Sequence, residues 1–598
     1  MAGAKDMRFH SRENTGWGRA LRWALLPALA VGLAACQTDL TETSTNFISP
    51  DKFYQNDAQA QIAVNGVFQP LMDWNGWRQP AQHSVMCDED ETSCESWLGG
   101  GRNGSGLASQ WYGNGNATWQ GDYTIINRAN QVLQYIGSSA GVSTTAKVQS
   151  MAMAKFGRAY AYFDLVRRYG GVPLRTAMYT PDEQLGAQAR ASVDSVWNQI
   201  VTDLRAAAPD LPTAFNAANG SGLPRQASAY GLLAKVYLHM AGAEASTTMQ
   251  AKRSQYLDSA SYYAQKVMAD PSTALEPKYM DLFNTATQNG SKEILFAVQG
   301  NRGNGSNIPP FFSPAGDCSL VGGCGPAGPG FVKIRWDFAK SFDASDKRRE
   351  HNVAVAMAWT SMPPAQSVLK SFTTPVIHVD SFTTLVNKGL ARVVQKTGPA
   401  DWASGMDSVV AGEGWSEACE TNRLFPGFMF VQMKNSNGDW VNDTIAIPHA
   451  YYTLKYIDKG NTGGEYGNAN NFIILRYADV LLVLAEAEAL KTGQTALAMQ
   501  ALHLVRQRAG LPDLKSGLSQ SAFVDSVRVE RGHELYAEFQ RRFDLIRQGT
   551  YLNVMNASVP TEYQGNQVCR PRAAYQLLQP IPSGELAANP LIQQNPGW

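Results

Sequence analysis

The chain has 598 residues, of which 51 are Lys or Arg and 51 are Asp or Glu, so its formal net charge is zero. A nucleic-acid-binding protein normally carries a basic excess, and the balance therefore excludes that class of partner on charge. Hydrophobic residues make up 44% of the chain, which is enough to bury a large core and excludes wholesale disorder. At roughly 150 residues per domain, the length allows about four domains.

The N-terminus has the features of an export signal. Basic residues lead into an apolar run from Trp23 to Leu33. That run is shorter than the about 20 residues that a transmembrane helix needs, and it matches the apolar region of a secretory signal peptide. It ends in Leu-Ala-Ala-Cys at residues 33–36, the pattern of a bacterial lipoprotein cleavage site. We therefore predict a lipoprotein signal peptide over residues 1–35; the alternative is an ordinary signal peptide followed by an incidental cysteine.

Cys36 is the predicted lipidation site, and residues 36–57 are the predicted lipidated tether. The mature chain would carry 46 basic and 49 acidic residues, so charge gives it no reason to bind an anionic surface. Attachment would depend on acyl chains, at least two of which are needed for stable anchoring. Gln37 follows the cysteine in place of the Asp that retains lipoproteins at the inner membrane. In a Gram-negative host this favours the outer membrane.

Six cysteines remain after Cys36, an even number that favours disulfides over free thiols in an exported protein. No two of them have CxxC spacing and none lies near a histidine pair, so no metal site is predicted. Loop length favours pairing the cysteines that are close in sequence. The predicted pairs are Cys87–Cys94, Cys318–Cys324 and, by elimination, Cys419–Cys569.

Residues 58–290 form a predicted N-terminal helical part. Apolar residues recur at helical spacing through this part, and short turns separate the periodic stretches. Gly-Gly-Val-Pro at residues 170–173 has the glycine followed by proline that ends a helix. Predicted helices cover residues 58–71, 123–135, 148–169, 192–207, 226–240 and 256–268.

The character of the chain changes over residues 291–470, which form a predicted loop-rich region. A short strand is predicted at 291–298, a Gly- and Pro-rich stretch follows at 300–330, and further β-like runs occur at 373–379 and 450–457. An irregular stretch of this length is normally functional or disordered. Its many aromatic residues favour function.

Residues 471–598 form a predicted C-terminal helical part, with helices at 471–491, 495–509 and 521–548. The pair around Gly493 resembles a tetratricopeptide unit, although no clean 34-residue period is visible. The predicted fold is therefore mainly α, with tetratricopeptide-like helical hairpins and a loop-rich region that contains short strands.

Four sequence motifs give the chain a specific resemblance. They are Arg-Ala-x-x-Tyr-Phe-Asp-Leu-Val at the start of residues 158–173, Arg-Gln-Arg-Ala-Gly-Leu-Pro at 506–512, a Glu- and Arg-rich helix motif at 530–547, and Asn-Pro-Leu-Ile-Gln-Gln-Asn-Pro-Gly-Trp at 589–598. In this order they resemble the SusD/RagB family of outer-membrane nutrient-binding lipoproteins. The match departs at Phe539, where the family usually has a glycine.

The resemblance implies a fold and a function. The implied fold is a SusD-like α-solenoid scaffold. The implied function is that of a non-enzymatic lipoprotein, anchored in the outer membrane and facing outside. Such a protein binds an oligomeric nutrient, with a glycan favoured over a peptide, and delivers it to a SusC-like TonB-dependent transporter. No cofactor is implied.

Two other functional classes remain open on the sequence. A tetratricopeptide-type scaffold lipoprotein would explain the helices and the anchor, but not the aromatic loop-rich middle. A lipid-anchored glycan hydrolase would explain the aromatics, but needs two carboxylates about 5–10 Å apart across a cleft.

The candidate ligand contacts are aromatic residues in loops with polar neighbours. A sugar ring stacks its C–H faces on Trp or Tyr, and its hydroxyls need amide, carboxylate or guanidinium partners at the edge. Trp-Asn-Gly-Trp-Arg at residues 74–78 supplies both kinds of group. The alternative is that these rings fill the core beneath loops. The candidate residues of this early part of the chain are Trp74, Asn75, Trp77, Arg78, Trp97, Trp111 and Tyr112. The resemblance implies ligand-contacting loops here and in the loop-rich region, where it adds Trp336 and Trp359.

The charged helix motif is predicted to be structural. Glu534, Glu538, Arg541 and Arg542 lie at three- and four-residue spacings and are expected to pair along one helix, unless they face a cleft. The acidic run at residues 88–91 is expected to be a solvated loop, with a calcium site as the alternative.

Overall fold

The computed structural model describes the larger part of the chain from residue 53 onwards. The described residues from 54 onwards belong to one compact unit. The described residues are 53–73, 85, 88–94, 116–178, 187–214, 222–300, 332–334, 336–349, 354–355, 377–378, 391–396, 428–434, 437–440, 445–448, 451–453, 455–456, 458, 469–557 and 572–598.

The N-terminal part is helical, as the periodicity predicts. Four of the helices begin at a hydroxyl or amide side chain that accepts a hydrogen bond from the first turn; Ser143 and Ser192 are two of these side chains. In chain order they are α1 (Asp57–Phe68), α2 (Asn116–Ser138), α3 (Thr144–Tyr169), α4 (Val193–Ala207), α5 (Gln226–Met240), α6 (Thr247–Ala251) and α7 (Arg253–Met268).

The end of α3 confirms the predicted stop signal. Gly170 has φ 75°, and its N–H donates to the carbonyl of Val166 at 3.0 Å. A residue with a Cβ atom adopts this left-handed conformation only with strain, so glycine ends the helix here.

The later helices follow the middle of the chain. A short one begins at Trp336, and the others lie after residue 476. They are α8 (Trp336–Ser341), α9 (Tyr477–Thr492), α10 (Ala496–Arg508), α11 (Gln520–Leu535), α12 (Arg541–Arg547), α13 (Tyr551–Asn556) and α14 (Ser583–Ala588).

The helices pack as tetratricopeptide-like hairpins. In the N-terminal part α2 packs on α3, α3 on α4, α4 on α5 and α5 on α7. Helix α9 then packs against α5 and α7 of the N-terminal part and against α10 and α11 of the C-terminal part. The C-terminal hairpins therefore continue the stack that the N-terminal hairpins begin.

A buried two-stranded sheet joins the two halves. Strand β2 (Ile294–Val298) pairs antiparallel with β10 (Phe472–Arg476), and every residue of both strands is buried. Phe296 of β2 packs edge-on against Phe68, Phe156 and Tyr160 of the N-terminal helices. Residues far apart in sequence thus share one core.

Strand β10 corrects a sequence-based expectation. A helix was expected over residues 471–491, but the backbone is extended to Arg476 and the helix begins at Tyr477. The apolar run Phe-Ile-Ile-Leu fits a buried strand as well as a buried helix, and periodicity alone does not separate the two. Pairing with β2 favours the strand.

Two further antiparallel sheets lie within the described residues, and all but one of their strands come from the middle of the chain. The strands are β1 (Thr92–Cys94), β3 (Val332–Ile334), β4 (Ala354–Val355), β5 (Ile377–His378), β6 (Ala391–Lys396), β7 (Phe428–Met433), β8 (Ile445–Pro448) and β9 (Tyr451–Tyr452). One sheet has the strand order β1-β3-β9-β4-β5 and the other β6-β7-β8. Strands β5 and β9 lie within predicted β-like runs, whereas β6 to β8 were not expected.

Candidate functional site

The Glu- and Arg-rich motif does not form one helix. The continuous helix expected over residues 521–548 ends at Leu535 and resumes as α12 at Arg541. Between them, Ala537 and Phe539 have φ 60° and 61°, in the left-handed region that only glycine adopts readily.

Buried side chains stabilise this interruption by donating hydrogen bonds to backbone carbonyls of residues 534–537. The hydroxyl of Tyr279 donates to the carbonyl of Glu534 at 2.8 Å, and that of Tyr456 donates to the carbonyl of Ala537 at 2.9 Å. The ammonium of Lys455 donates to the carbonyl of Tyr536 at 2.5 Å. A buried carbonyl without a hydrogen-bond partner destabilises the fold. These three hydrogen bonds therefore stabilise the break between the two helices.

The motif carboxylates lie in a cluster of buried ion pairs, which we call the charged base. Glu534, whose side chain is fully buried, pairs with Arg476 at 2.5 Å, with Arg348 at 2.9 Å and with Arg508. Burial alone raises the pKa of the Glu534 carboxyl, but these three guanidiniums outweigh it and hold the pKa well below its usual range. The charged base consists of Glu293, Arg348, Arg476, Arg508, Glu534 and Glu538.

The pairing differs from the one expected along the helix. Glu538 pairs with Arg476 at 2.7 Å and with Lys455 at 2.9 Å, not with the arginines that follow it in sequence. Burial lowers the pKa of Lys455 to about 8, and the Glu538 carboxylate opposes that effect. The structural role predicted for the motif glutamates agrees with this burial, but the helical pairing was wrong because the helix is interrupted between the partners.

Arg541 and Arg542 instead bind the acidic segment, residues 88–91. Arg541 holds both carboxylate oxygens of Asp90, at 2.7 and 2.8 Å, and lies 3.2 Å from Glu91. Arg542 Nε donates to Asp88 Oδ2 at 2.8 Å.

The acidic segment is therefore not the solvated loop that the sequence favoured. Asp88 is 1% exposed, and Arg572 and the hydroxyl of Tyr551 lie 2.7 and 2.6 Å from its two oxygens. Burial raises the pKa of Glu91 to about 8, with Arg541 opposing it. The described residues contain no group of three or more His, Cys, Asp or Glu side chains arranged to hold a metal ion.

A strand pair connects the acidic segment to helix α8. Strand β1 starts directly after Glu91 and pairs with β3 so that Thr92 lies opposite Ile334 and Cys94 opposite Val332. Helix α8 begins with Trp336, two residues after Ile334. The backbone of Trp336 therefore lies at the same end of the strand pair as the acidic segment.

Helix α8 and the residues after it also contact the motif helix. Ser341 Oγ lies 2.7 Å from His533 Nε2, and the ring of Phe342 stacks on that imidazole with centroids 4.1 Å apart. Arg348, seven residues after Ser341, pairs with Glu534 of the charged base and with Asp346, the latter at 2.7 Å. The acidic segment and residues 336–348 thus rest on one support, the end of α11 and the start of α12.

Of the predicted ligand contacts, only Trp336 falls within the described residues, and only by its backbone. Cys94 likewise ends β1 as a backbone position. The other predicted residues lie outside the described part of the chain. They are Cys36, Trp74, Asn75, Trp77, Arg78, Cys87, Trp97, Trp111, Tyr112, Cys318, Cys324, Trp359, Cys419 and Cys569.

The spacing of residues within the motif does not predict its charged partners. Arg476 ends the apolar strand β10 and Glu293 precedes the apolar strand β2, so each stands directly beside a fully buried run. Charged residues are almost never fully buried unless paired. A charged residue directly beside a fully apolar run is therefore the sequence feature that indicates a buried ion pair.

No helix in the described parts of the chain is long and apolar enough to cross a membrane.

The chain matches two family profiles in different parts. Residues 429–598 match the profile described as "SusD family", and residues 55–238 match the one described as "Starch-binding associating with outer membrane".

Relatives cover nearly the whole chain. The "SusD-like protein P25" of Formosa agariphila is 22% identical over 573 residues, which is 94% of this chain and 95% of the relative. A SusD homologue from Bacteroides thetaiotaomicron has a similar structure, with a TM-score of 0.68, 22% identity, and coverage of 93% of this chain and 100% of that one. A structure described as "Laminarin binding SusD-like protein" has a TM-score of 0.59, 19% identity, and coverage of 91% and 100%. The chain shares the fold of these structures.

Proposed function

Because the chain belongs to the SusD/RagB family, we propose that it is a lipoprotein of the outer membrane that binds an oligomeric glycan and delivers it to a SusC-like TonB-dependent transporter. Lipid on Cys36 anchors it, and the binding surface faces outside. The profile that matches residues 55–238 is described as starch-binding and as associating with the outer membrane. This description supports the proposed location and the proposed class of ligand.

The observation that carries the proposal is that one support holds two segments, the acidic segment and helix α8, which neighbour candidate aromatic residues in the sequence. The acidic segment and strand β1 lie between the early candidate residues Trp77 and Trp97 in sequence, and α8 begins with Trp336. Both are held by the motif, through Arg541 and His533 respectively. A rigid support beneath loops is the usual arrangement for a binding site, because the scaffold positions residues that the loops supply.

A glycan fits the residue types of these regions. Trp74 and Trp77 offer flat apolar rings, and Asn75 and Arg78 offer hydrogen-bonding groups beside them. Stacked aromatic rings with a few placed polar groups are what an oligosaccharide needs. The laminarin named for one structural neighbour is itself a glycan, which supports the same class.

Binding without hydrolysis is the proposed activity. A glycan hydrolase needs a protonated carboxyl and a second carboxylate that face the substrate. The motif carboxylates Glu530, Glu534 and Glu538 are each buried and paired with arginine or lysine. This supports a structural use of the acids that the family motif supplies.

Titration calorimetry with purified laminari-oligosaccharides and malto-oligosaccharides tests the proposal. One of the two glycans should bind the wild-type protein and keep its length on prolonged incubation. The Trp74→Ala/Trp336→Ala variant should bind it roughly tenfold more weakly or worse, because each ring contact is worth on the order of 1 kcal/mol and about 1.4 kcal/mol is one decade. Tyr262→Ala, at an exposed ring of α7, is the control and should leave the affinity unchanged.

Three results would argue against parts of the proposal. Equal affinity in the double variant would remove Trp74 and Trp336 from the site. Shortened oligosaccharides would restore the hydrolase. Binding of a protein partner together with failure to bind any glycan or peptide would favour the scaffold.

A further inference from the structure

We infer that Arg541 is a positioning residue that sets the orientation of strand β1 and, through β3, of helix α8 on the motif support. The inference rests on the proposed function, since its consequence is the placement of the candidate binding residue Trp336.

The contact of Arg541 with the acidic segment is directional. Its Nε and Nη2 donate to the two oxygens of Asp90 at 2.7 and 2.8 Å, and its Nε lies 3.2 Å from Glu91. A guanidinium that binds both oxygens of one carboxylate fixes the angle between the groups as well as their distance. The side chains of Arg541 and Asp90 are only 20% and 18% exposed, so solvent screens the pair weakly.

A second contact explains why Arg541 orients the segment rather than holding it in the fold. Asp88 is tied by Arg542, Arg572 and Tyr551 in a fully buried cluster that does not involve Arg541. Loss of Arg541 would leave that attachment in place. The acidic segment would stay anchored at Asp88, while the backbone from Asp90 onwards could rotate.

The surroundings of Glu91 make the orientation sensitive to Arg541. A Cβ atom on Gly532 would lie 2.7 Å from Glu91 Oε1, so this carboxyl packs directly against the backbone of α11. Glu89, Asp90 and Asp544 are the carboxyls that act on it, and Arg541 and Lys455 are the cations. Removing Arg541 takes away the guanidinium that binds Asp90 and lies 3.2 Å from Glu91, so the segment loses its contact with the start of α12.

The movement would reach helix α8 through the strand pair. Thr92 follows Glu91 directly and lies opposite Ile334, two residues before Trp336. The far end of α8 stays attached through Ser341 and His533. The helix would therefore pivot on Ser341 and displace its first residue, Trp336, most.

Full-length Arg541→Gln, Asp90→Asn and the double variant test this inference, with Arg506→Gln as the matched control. Arg506 also pairs with a carboxylate of the motif, Glu530 at 2.7 Å, and is 15% exposed, but it does not contact the acidic segment. Hydrogen exchange measured by mass spectrometry should be about tenfold faster across residues 90–94 and 336–341 in Arg541→Gln, and unchanged there in the control. The double variant should exchange no faster than Arg541→Gln, because both substitutions remove the same contact.

Affinity for whichever of the two oligosaccharides, laminari- or malto-, the wild-type protein binds completes the test and is measured by calorimetry. Arg541→Gln should bind about tenfold more weakly, while Arg541→Lys should fall between it and the wild type because lysine keeps the charge and loses the two-pronged contact. Unchanged exchange in Arg541→Gln would overturn the inference, as would faster exchange with wild-type affinity. Failure of the wild-type protein to bind any glycan would instead count against the proposed function, and the exchange rates would still decide whether Arg541 orients β1.

Discussion

The ring of Phe539 packs edge-on against the ring of Phe472, with centroids 4.9 Å apart, while the backbone of Phe539 is left-handed with φ 61°. This backbone angle favours glycine, the residue that the resembling motif has at this position. In this chain the buried phenylalanine ring offsets the strain that a side chain brings to a left-handed residue.

Glycine substitutions at the two left-handed residues should have opposite effects on stability. A left-handed non-glycine residue is strained by about 1–2 kcal/mol, and glycine loses about 0.5–1 kcal/mol more conformational entropy on folding. Ala537→Gly should therefore stabilise the protein by about 0.5–1 kcal/mol. Phe539→Gly relieves the same strain but removes a buried ring, whose loss costs about 3–5 kcal/mol, so it should destabilise by about 2–4 kcal/mol.

Urea unfolding of both variants gives the measurement, with an unchanged slope required for the comparison. The two substitutions control for each other, because both place glycine in the same turn. Destabilisation by Ala537→Gly would show that the turn is not strained as its backbone angles indicate.

Neutralising Glu534 should destabilise the protein strongly. Its carboxylate is fully buried and faces Arg348, Arg476 and Arg508. Glu534→Gln leaves these guanidiniums with too little compensating charge, and breaking a buried ion pair by removing one partner costs about 3–5 kcal/mol.

The free energy of unfolding in urea, measured for Glu534→Gln, tests this prediction, and Asp525→Asn is the control. Asp525 lies on the same helix but is exposed, so its neutralisation should change stability by no more than about 0.5 kcal/mol. Equal effects of the two substitutions would mean that the charged base does not stabilise the fold.

His533 should make the stability depend on pH in the mildly acidic range. Burial lowers the pKa of its imidazole from 6.5 to about 4, and the nearby Arg348 adds to the effect. Because the folded-state pKa is below that of the unfolded chain, the contribution is fully present above pH 6.5. It is lost as the pH falls from 6.5 to about 4, and its size is on the order of 3 kcal/mol.

The difference in unfolding free energy between wild type and His533→Gln should therefore shrink from pH 7 to pH 4. Taking this difference cancels the contribution of the carboxylates, which titrate in the same pH range in both proteins. Ser341→Ala is the control, because it removes the partner 2.7 Å from the imidazole but keeps the imidazole itself. This variant should retain the wild-type pH dependence, and a pH-independent difference for His533→Gln would contradict the prediction.

Local sequence patterns predict most of the helices and little of the support. Helix α5 has the predicted bounds, Gln226–Met240, because apolar spacing and turn residues act within a few positions. The strand at Phe472–Arg476 was mistaken for helix because its partner lies about 180 positions earlier. The interruption after Leu535 is not predicted for the same reason, since the side chains that donate hydrogen bonds to its carbonyls come from residues 279 and 455–456.

The acidic segment shows most clearly which contacts local sequence patterns do not predict. Asp90 and Arg541 are 451 positions apart, and neither spacing nor composition indicates that they pair. Four consecutive acids predict a solvated loop unless the arginines that neutralise them are known. The motif residues of the family were recognisable in the sequence, but their partners are set by the tertiary fold.

Replacing the predicted lipidation site should change where the protein resides. Cys36 follows Leu-Ala-Ala at the end of the apolar run, and its thiol is the group that would carry the lipid. The mature chain has three more acidic than basic residues, so charge does not replace a lost anchor on an anionic membrane. Cys36→Ala should therefore move the protein from the outer-membrane fraction to the soluble exported fraction. The measurement is immunoblotting of fractionated cells that lack the partner transporter, so that binding to the transporter does not retain the variant. Cys569→Ala, which keeps the lipidation site, should remain in the outer membrane. Retention of Cys36→Ala in the outer membrane of these cells would show that Cys36 is not the anchor.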